Sequence, residues 1–195
     1  MAVIHQTQIR QEILETTRKL LVKYGYNFIS MRKIASNAGC ALGTIYLYFD
    51  NKDILIHSLI DEGFEKMYNM LLDETRKYEQ PDKRLEVLCK KYISFGLEYP
   101  EYYEIMYLLH PERMKRYPKE KFRRARRTFD LVAEILDEVA ENRGILLKDS
   151  TLISYSIWAS LHGVVTILLA RRLDKRIDQN DFIDNVVQRT LRSVI

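Results

Sequence analysis

Residues 31–49 read Met31-Arg32-Lys33-Ile34-Ala35-Ser36-Asn37-Ala38-Gly39-Cys40-Ala41-Leu42-Gly43-Thr44-Ile45-Tyr46-Leu47-Tyr48-Phe49, and the fold follows from this stretch. Two short helices that meet across a tight turn need a small residue where the axes approach. They also need a turn residue that accepts positive φ, and apolar residues that brace the pair. Ala35 supplies the first and Gly39 the second, while Ile34, Ala38, Cys40, Ile45 and Tyr48 sit where bracing is needed. Ser30 is placed to cap the first helix by accepting from the free N–H groups of its opening turn. The polar remainder of the second helix, Gly43, Thr44 and Tyr46, then faces outward. That is where a recognition helix presents its N-terminal residues to the major groove. The same spacing also suits a helical hairpin with no role on DNA.

Outward from this stretch the pattern stays helical. Apolar residues recur at i, i+3, i+4 and i+7, and alternating strand patterns are absent. Ile9, Ile13, Leu20, Leu21 and Tyr24 line one face of a first helix over about 7–24, with Gly25 placed as a left-handed C-terminal cap. Asp50 or Asn51 starts a long helix from Lys52 to about Tyr78, and Asp53 favours its positive end. Pro81 marks a boundary. Helices follow over about 83–98 and 101–109, each stopped before a proline. Three more are expected over about 119–142, 150–173 and 181–194. The fold class is all-α, with about nine helices.

Composition narrows the function. With 195 residues, 47% hydrophobic and 30% charged, the chain is globular and needs no disulfide or metal staple. Cys40 and Cys89 make no ligand spacing, and no metal or other cofactor is implied. No apolar run approaches the roughly 20 residues of a membrane span, and Met1 to Gln8 lack the pattern of a signal peptide. The expectation is a reduced, cytoplasmic protein with no membrane partner. His5, His57, His110 and His162 are scattered, and no nucleophilic or phosphate-loop motif is present, so no catalytic residue is nominated. Residues 1–52 hold seven Lys/Arg against three acids, which accounts for the whole net charge of +4. A basic module on a neutral body suits a polyanion.

The residues also carry a resemblance. Gly25, Ile34-Ala35, Ala38-Gly39, Gly43-Thr44-Ile45-Tyr46-Leu47-Tyr48-Phe49 and Asn51-Lys52-Asp53-Ile54-Leu55 resemble, in order and without gaps, the DNA-binding domain of TetR-type repressors. Cys40 and Ala41 depart from the family's usual Val and Ser or Thr, and Ala41 removes a helix-capping hydroxyl. The resemblance implies a DNA-binding domain over 1–52, a connecting helix over 53–80 and a helical effector-binding and dimerisation domain over 81–195. It implies a homodimeric regulator on palindromic double-stranded DNA, released by a small-molecule effector. Arg32 would reach a phosphate or base edge, Thr44 and Tyr46 phosphate and bases, and Tyr48 and Lys52 phosphates, with the backbone of Leu42 and Gly43 close to the duplex. An adaptor that kept the fold and lost DNA binding is the alternative.

For the remainder the candidate effector residues are Phe95, Tyr99, Tyr103, Tyr107, Phe129, Trp158 and His162. Buried phenols need partners, so an aromatic cluster can line an amphipathic cavity as well as a plain core. Trp158 and His162 share a helix face, and the run to Gly163 resembles a Trp–His–Gly signature of one TetR-like subclass. Gly163 in mid-helix points to close approach by another helix. Leu152, Tyr155, Ala159, Thr166, Leu169 and Leu173, then Phe182, Val186, Thr190 and Val194, form apolar faces beyond what one body needs. By resemblance they form a two-fold four-helix interface. Residues 111–127 hold nine basic groups against two acids, a solvated face or an anion-attracting one.

Overall fold

The computed structural model describes residues 2–109 and 122–194, with side chains for 7–109 and 123–193. His110 and the first part of the basic run, including Arg113, Lys115, Arg116, Lys119 and Lys121, lie outside the described residues, as does the Val194 side chain. Among the described residues there are nine α-helices and no strand. They group into two compact units, residues 2–64 with 101–109, and residues 65–100 with 122–194.

The first unit is built on α1 (Ala2–Tyr24), α2 (Met31–Ala38), α3 (Leu42–Tyr46) and the start of α4 (Lys52–Thr75). Ser30 caps α2, its hydroxyl accepting from Lys33 N–H at 3.2 Å. Gly39 ends α2 at φ 66, ψ 26, the left-handed conformation a side chain disfavours. Gly25 takes φ 74 but ψ 166, so it closes no left-handed cap and instead leads into a 3₁₀ turn, Tyr26–Phe28. Ile13, Leu14, Ile34, Ile45, Leu55 and Leu59 are at most 1% exposed and form the core. Tyr24, expected on the inner face, is 40% exposed under the Lys33 ammonium, 3.8 Å from its ring centroid.

A short helix, α6 (Pro100–Tyr103), runs into a π-helical turn, Glu104–Leu108, and from Glu101 onward this segment belongs to the same unit. The sequence pattern predicts one regular helix there; instead Leu109 N–H reaches back five residues to Glu104. This segment docks on α4 at Gly63, where a Cβ would lie 2.5 Å from the Met106 sulfur. Tyr102 hydroxyl donates to Glu62 at 2.6 Å, Tyr107 meets Phe64 edge-on, and Arg18 of α1 pairs with Glu101. Close approach therefore occurs at Gly63. Gly163, where it was expected, has nothing within 4 Å of a Cβ.

The second unit packs α5 (Pro81–Glu98), α7 (Phe122–Arg143), α8 (Ser150–Leu169) and α9 (Gln179–Val194). α5 touches the other three, and its Leu85, Leu88, Cys89, Tyr92 and Phe95 are fully buried. Arg84–Glu138 and Lys90–Asp184 tie it to α7 and α9. Several ends differ from the pattern for identifiable reasons. α5 starts at Pro81, because proline at the first helical turn forfeits an N–H that would be unpaired anyway. α9 starts two residues early because Asp178 accepts from the N–H groups of Asn180 and Asp181. α8 stops at Leu169, with Arg171 at φ 53 and Arg172 N–H bonded to Ile167. α8 is long and apolar enough to cross a membrane by length and composition. Its serines, threonines and His162 break up any continuous apolar run without adding charge.

Gly39→Ala is expected to destabilise the chain by about 1–2 kcal/mol, the cost of a Cβ in a left-handed conformation. Urea denaturation measures it, and an unchanged midpoint would contradict the assignment of the turn.

Candidate nucleic-acid interface and ligand cleft

Ile45, fully buried, fixes the rotation of α3, and Ile34 and Ala35 do the same for α2. What remains outside is Tyr46, 49% exposed, and Leu47, 83% exposed, beside a half-buried Thr44 and an open Gly43. Leu42 is half-buried at the start of α3, where no side chain caps the helix, as the alanine at position 41 requires. Arg32 is exposed on α2. Tyr48 is half-buried, its ring 6.5 Å from Phe49. An exposed polar and aromatic edge on a rigid support is what a groove reader needs.

Lys52 is placed differently from its expected role. Its ammonium donates to the carbonyls of Tyr26 at 2.9 Å and Ile29 at 3.2 Å, and lies 3.7 Å from the Tyr26 ring centroid. Burial lowers its pKa, against the opposing attraction of Asp53. Asp53 in turn accepts from the Tyr26 hydroxyl at 2.5 Å. Burial, then that carboxylate, pushes Tyr26 up to about 12. Lys52 and Asp53 thus clamp the 26–29 turn onto the start of α4, and Asn51 caps α4 by accepting from Ile54 N–H. The clamp had no signature in the sequence beyond the charges themselves.

The expected effector residues divide. Tyr103 and Tyr107 lie in the first unit, ring to ring at 4.9 Å. Phe95 and Tyr99 pair in the second, with the Lys66 ammonium 4.2 Å from Tyr99. Phe129, Trp158 and His162 come together there as one group. Phe129 stacks on Tyr155 at 4.1 Å and meets Trp158 edge-on, and Trp158 stacks on His162 at 5.0 Å. Burial lowers the His162 pKa, favouring the neutral ring. The Trp158 indole N–H donates to the Tyr92 hydroxyl at 2.9 Å.

Beneath this group lies a narrow, mostly apolar cleft of the second unit, lined by Leu88, Tyr92, Thr128, Phe129, Ile157 and Trp158 among others. Thr128, absent from the sequence-based candidates, is 6% exposed and its hydroxyl makes no hydrogen bond among the described residues. A larger open cleft between α5, α7 and α9 has Lys83 and Arg143 already paired with Glu86 and Asp82.

Of the expected interface residues, Leu152, Tyr155 and Ala159 are exposed and Thr166, Leu169, Leu173, Phe182 and Val186 half-exposed. Thr190 is turned into the chain's own core, 8% exposed, one helical turn from the fully buried Val187.

Head and body together define a helix–turn–helix protein with a separate helical domain. Residues 13–59 match the family model of bacterial regulatory proteins of the tetR family, and residues 85–192 that of the tetracyclin repressor-like C-terminal domain. The chain belongs to the TetR family. An uncharacterized HTH-type transcriptional regulator of Haemophilus influenzae is 37% identical over 76 residues, 37% of this chain and 41% of that one. The chain spans about two-fifths of the length of the first curated relatives it matches. FadR of Bacillus subtilis, solved with stearoyl-CoA, superposes at TM-score 0.79 with 21% identity, covering 95% of this chain and 98% of that one. AibR, solved with isovaleryl coenzyme A and operator DNA, superposes at 0.72 with 19% identity over 92% and 96%. At these identities the likeness is one of fold.

Tyr46→Ala is expected to leave stability within about 0.5 kcal/mol of the parent. Lys52→Met should cost about 1–3 kcal/mol by orphaning two carbonyls. Urea denaturation of the two variants separates a surface residue from a clamp.

Proposed function

We propose that the protein is a homodimeric repressor that binds a palindromic operator and is released by an acyl-CoA effector. The observation that carries this reading is the exposed Tyr46–Leu47 edge beside a half-buried Thr44, held on a fully buried Ile45, in a chain that matches a TetR-family model at each end. Arg32, Thr44, Tyr46 and Tyr48 supply the contacts to DNA. Lys52 acts through the turn it clamps.

The second copy packs against α8 and α9. Little more than a quarter of α8's apolar length is buried within the chain. Its exposed side carries Ser156, Ala159, Ser160 and an open Gly163, small enough for a partner helix to come close. Isologous pairing then sets two recognition helices one helical turn of DNA, roughly 34–36 Å, apart. Such a dimer works in the cytoplasm and catalyses nothing. The acyl-CoA assignment is carried over from FadR and AibR, which share the fold. The effector must bind the released state more tightly than the operator-bound one.

Fluorescence anisotropy on DNA flanking the protein's own gene tests this. The wild type is expected to bind specifically, Tyr46→Ala to bind at least about tenfold more weakly, and an acyl-CoA to weaken binding by about 5–150-fold. DNA left unbound even at low salt would instead mark an adaptor.

A further inference from the structure

Leu47 is the feature of the head that the fold leaves unexplained. At 83% exposure it is the most exposed large apolar side chain among the described residues of the first unit. It is also held rigidly. Its N–H is bonded to the carbonyls of Gly43 and Thr44, each at 3.2 Å, and the N–H of Phe49 closes the next turn on Ile45 at 2.9 Å. Ile45 and Phe49 are 0% and 2% exposed and mark the inner face. Leu47 stands midway between them, so the helical step of about 100° turns it roughly 200° from each, away from the core. Burial of those two neighbours sets position 47 in the centre of the outward face, between Thr44 and Tyr46. The fold gains little from a leucine there.

A helical side chain leans toward the N-terminus of its helix. Leu47 therefore lies over Gly43, one turn back, where a Cβ would meet nothing within 4 Å. With no side chain at Gly43, the leucine is what projects from the middle of the edge. Its chemistry narrows what can cover it. An isobutyl group neither donates nor accepts a hydrogen bond, and phosphates attract charge instead. In the major groove the base edges present donors, acceptors and one apolar group, the 5-methyl of thymine. Set against any other base edge, the leucine strips water from a polar group and returns no bond.

We propose that Leu47 is a specificity-determining residue, which packs on the 5-methyl group of one thymine in each half-site. The inference rests on the DNA-binding reading above and adds a base-reading residue to it.

The full chain is measured by fluorescence anisotropy on DNA flanking its own gene, in duplexes where single thymines are replaced by deoxyuridine. That change removes the methyl and keeps the pairing. For the wild type, one thymine in each half-site is expected to be sensitive, each replacement weakening binding about fourfold and both together about fifteenfold. Leu47→Ala is expected to bind the thymine and deoxyuridine duplexes equally at those positions. It should keep the wild-type affinity for unrelated DNA and the wild-type salt slope, since no phosphate contact is lost, and its urea midpoint should not move. Leu47→Met, of similar volume, should keep the thymine preference. Deoxyuridine that changes nothing for the wild type, or weakens wild type and Leu47→Ala alike at every thymine, overturns the proposal while specific binding stands. A loss in Leu47→Ala as large on unrelated DNA as on the flanking sequence overturns it too. If the wild type shows no preference for the flanking sequence, or binds no DNA, the DNA-binding reading falls and this one with it.

Discussion

The burial of Ile34 and Ile45, one from each short helix and both at zero exposure, is the constraint on which the head depends. Each such side chain contributes about 1.5–3 kcal/mol when fully buried, and together they fix the rotation of α2 and α3 on the core. Once that rotation is set, the outward residues follow from the 100° step of the helix: Arg32 on one, Thr44 and Tyr46 on the other. Gly39 permits the turn between them, and Ser30 satisfies an N–H at the start of α2. The DNA recognition proposed for this head would thus be a consequence of which side chains the core leaves over.

The legible parts were those governed by local rules. The helical period, the glycine turn and the serine cap place the helix–turn–helix correctly from residues 30–46 alone. Helix ends proved less regular where a cap uses an unusual residue. Arg171 in the left-handed conformation stops α8 four residues before Leu173, and arginine gives no warning of it. The π-helical turn at Glu104–Leu108 has no period of its own in a stretch dense with tyrosine and leucine.

Long-range partners were the illegible parts. Lys52 has the charge and helix position of a phosphate ligand, and the carbonyls it holds lie 26 and 23 residues away. Thr128 stands in a run of arginines, where nothing marks a hydroxyl as buried and unpaired. Gly63 and Gly163 both stand in mid-helix and look alike, yet a Cβ at Gly63 would meet the Met106 side chain while one at Gly163 would meet nothing within 4 Å among the described residues. Thr190 fits an apolar stripe on α9 and is drawn into the chain's own core beside Val187.

The proposed function needs two copies of the head, and hydroxyl-radical footprinting of the wild-type protein on DNA flanking its own gene tests that most directly. The account predicts two protected windows of similar strength, related by a dyad and separated by about one helical turn of 10–10.5 base pairs. A single window, or protection without two-fold symmetry, would contradict it.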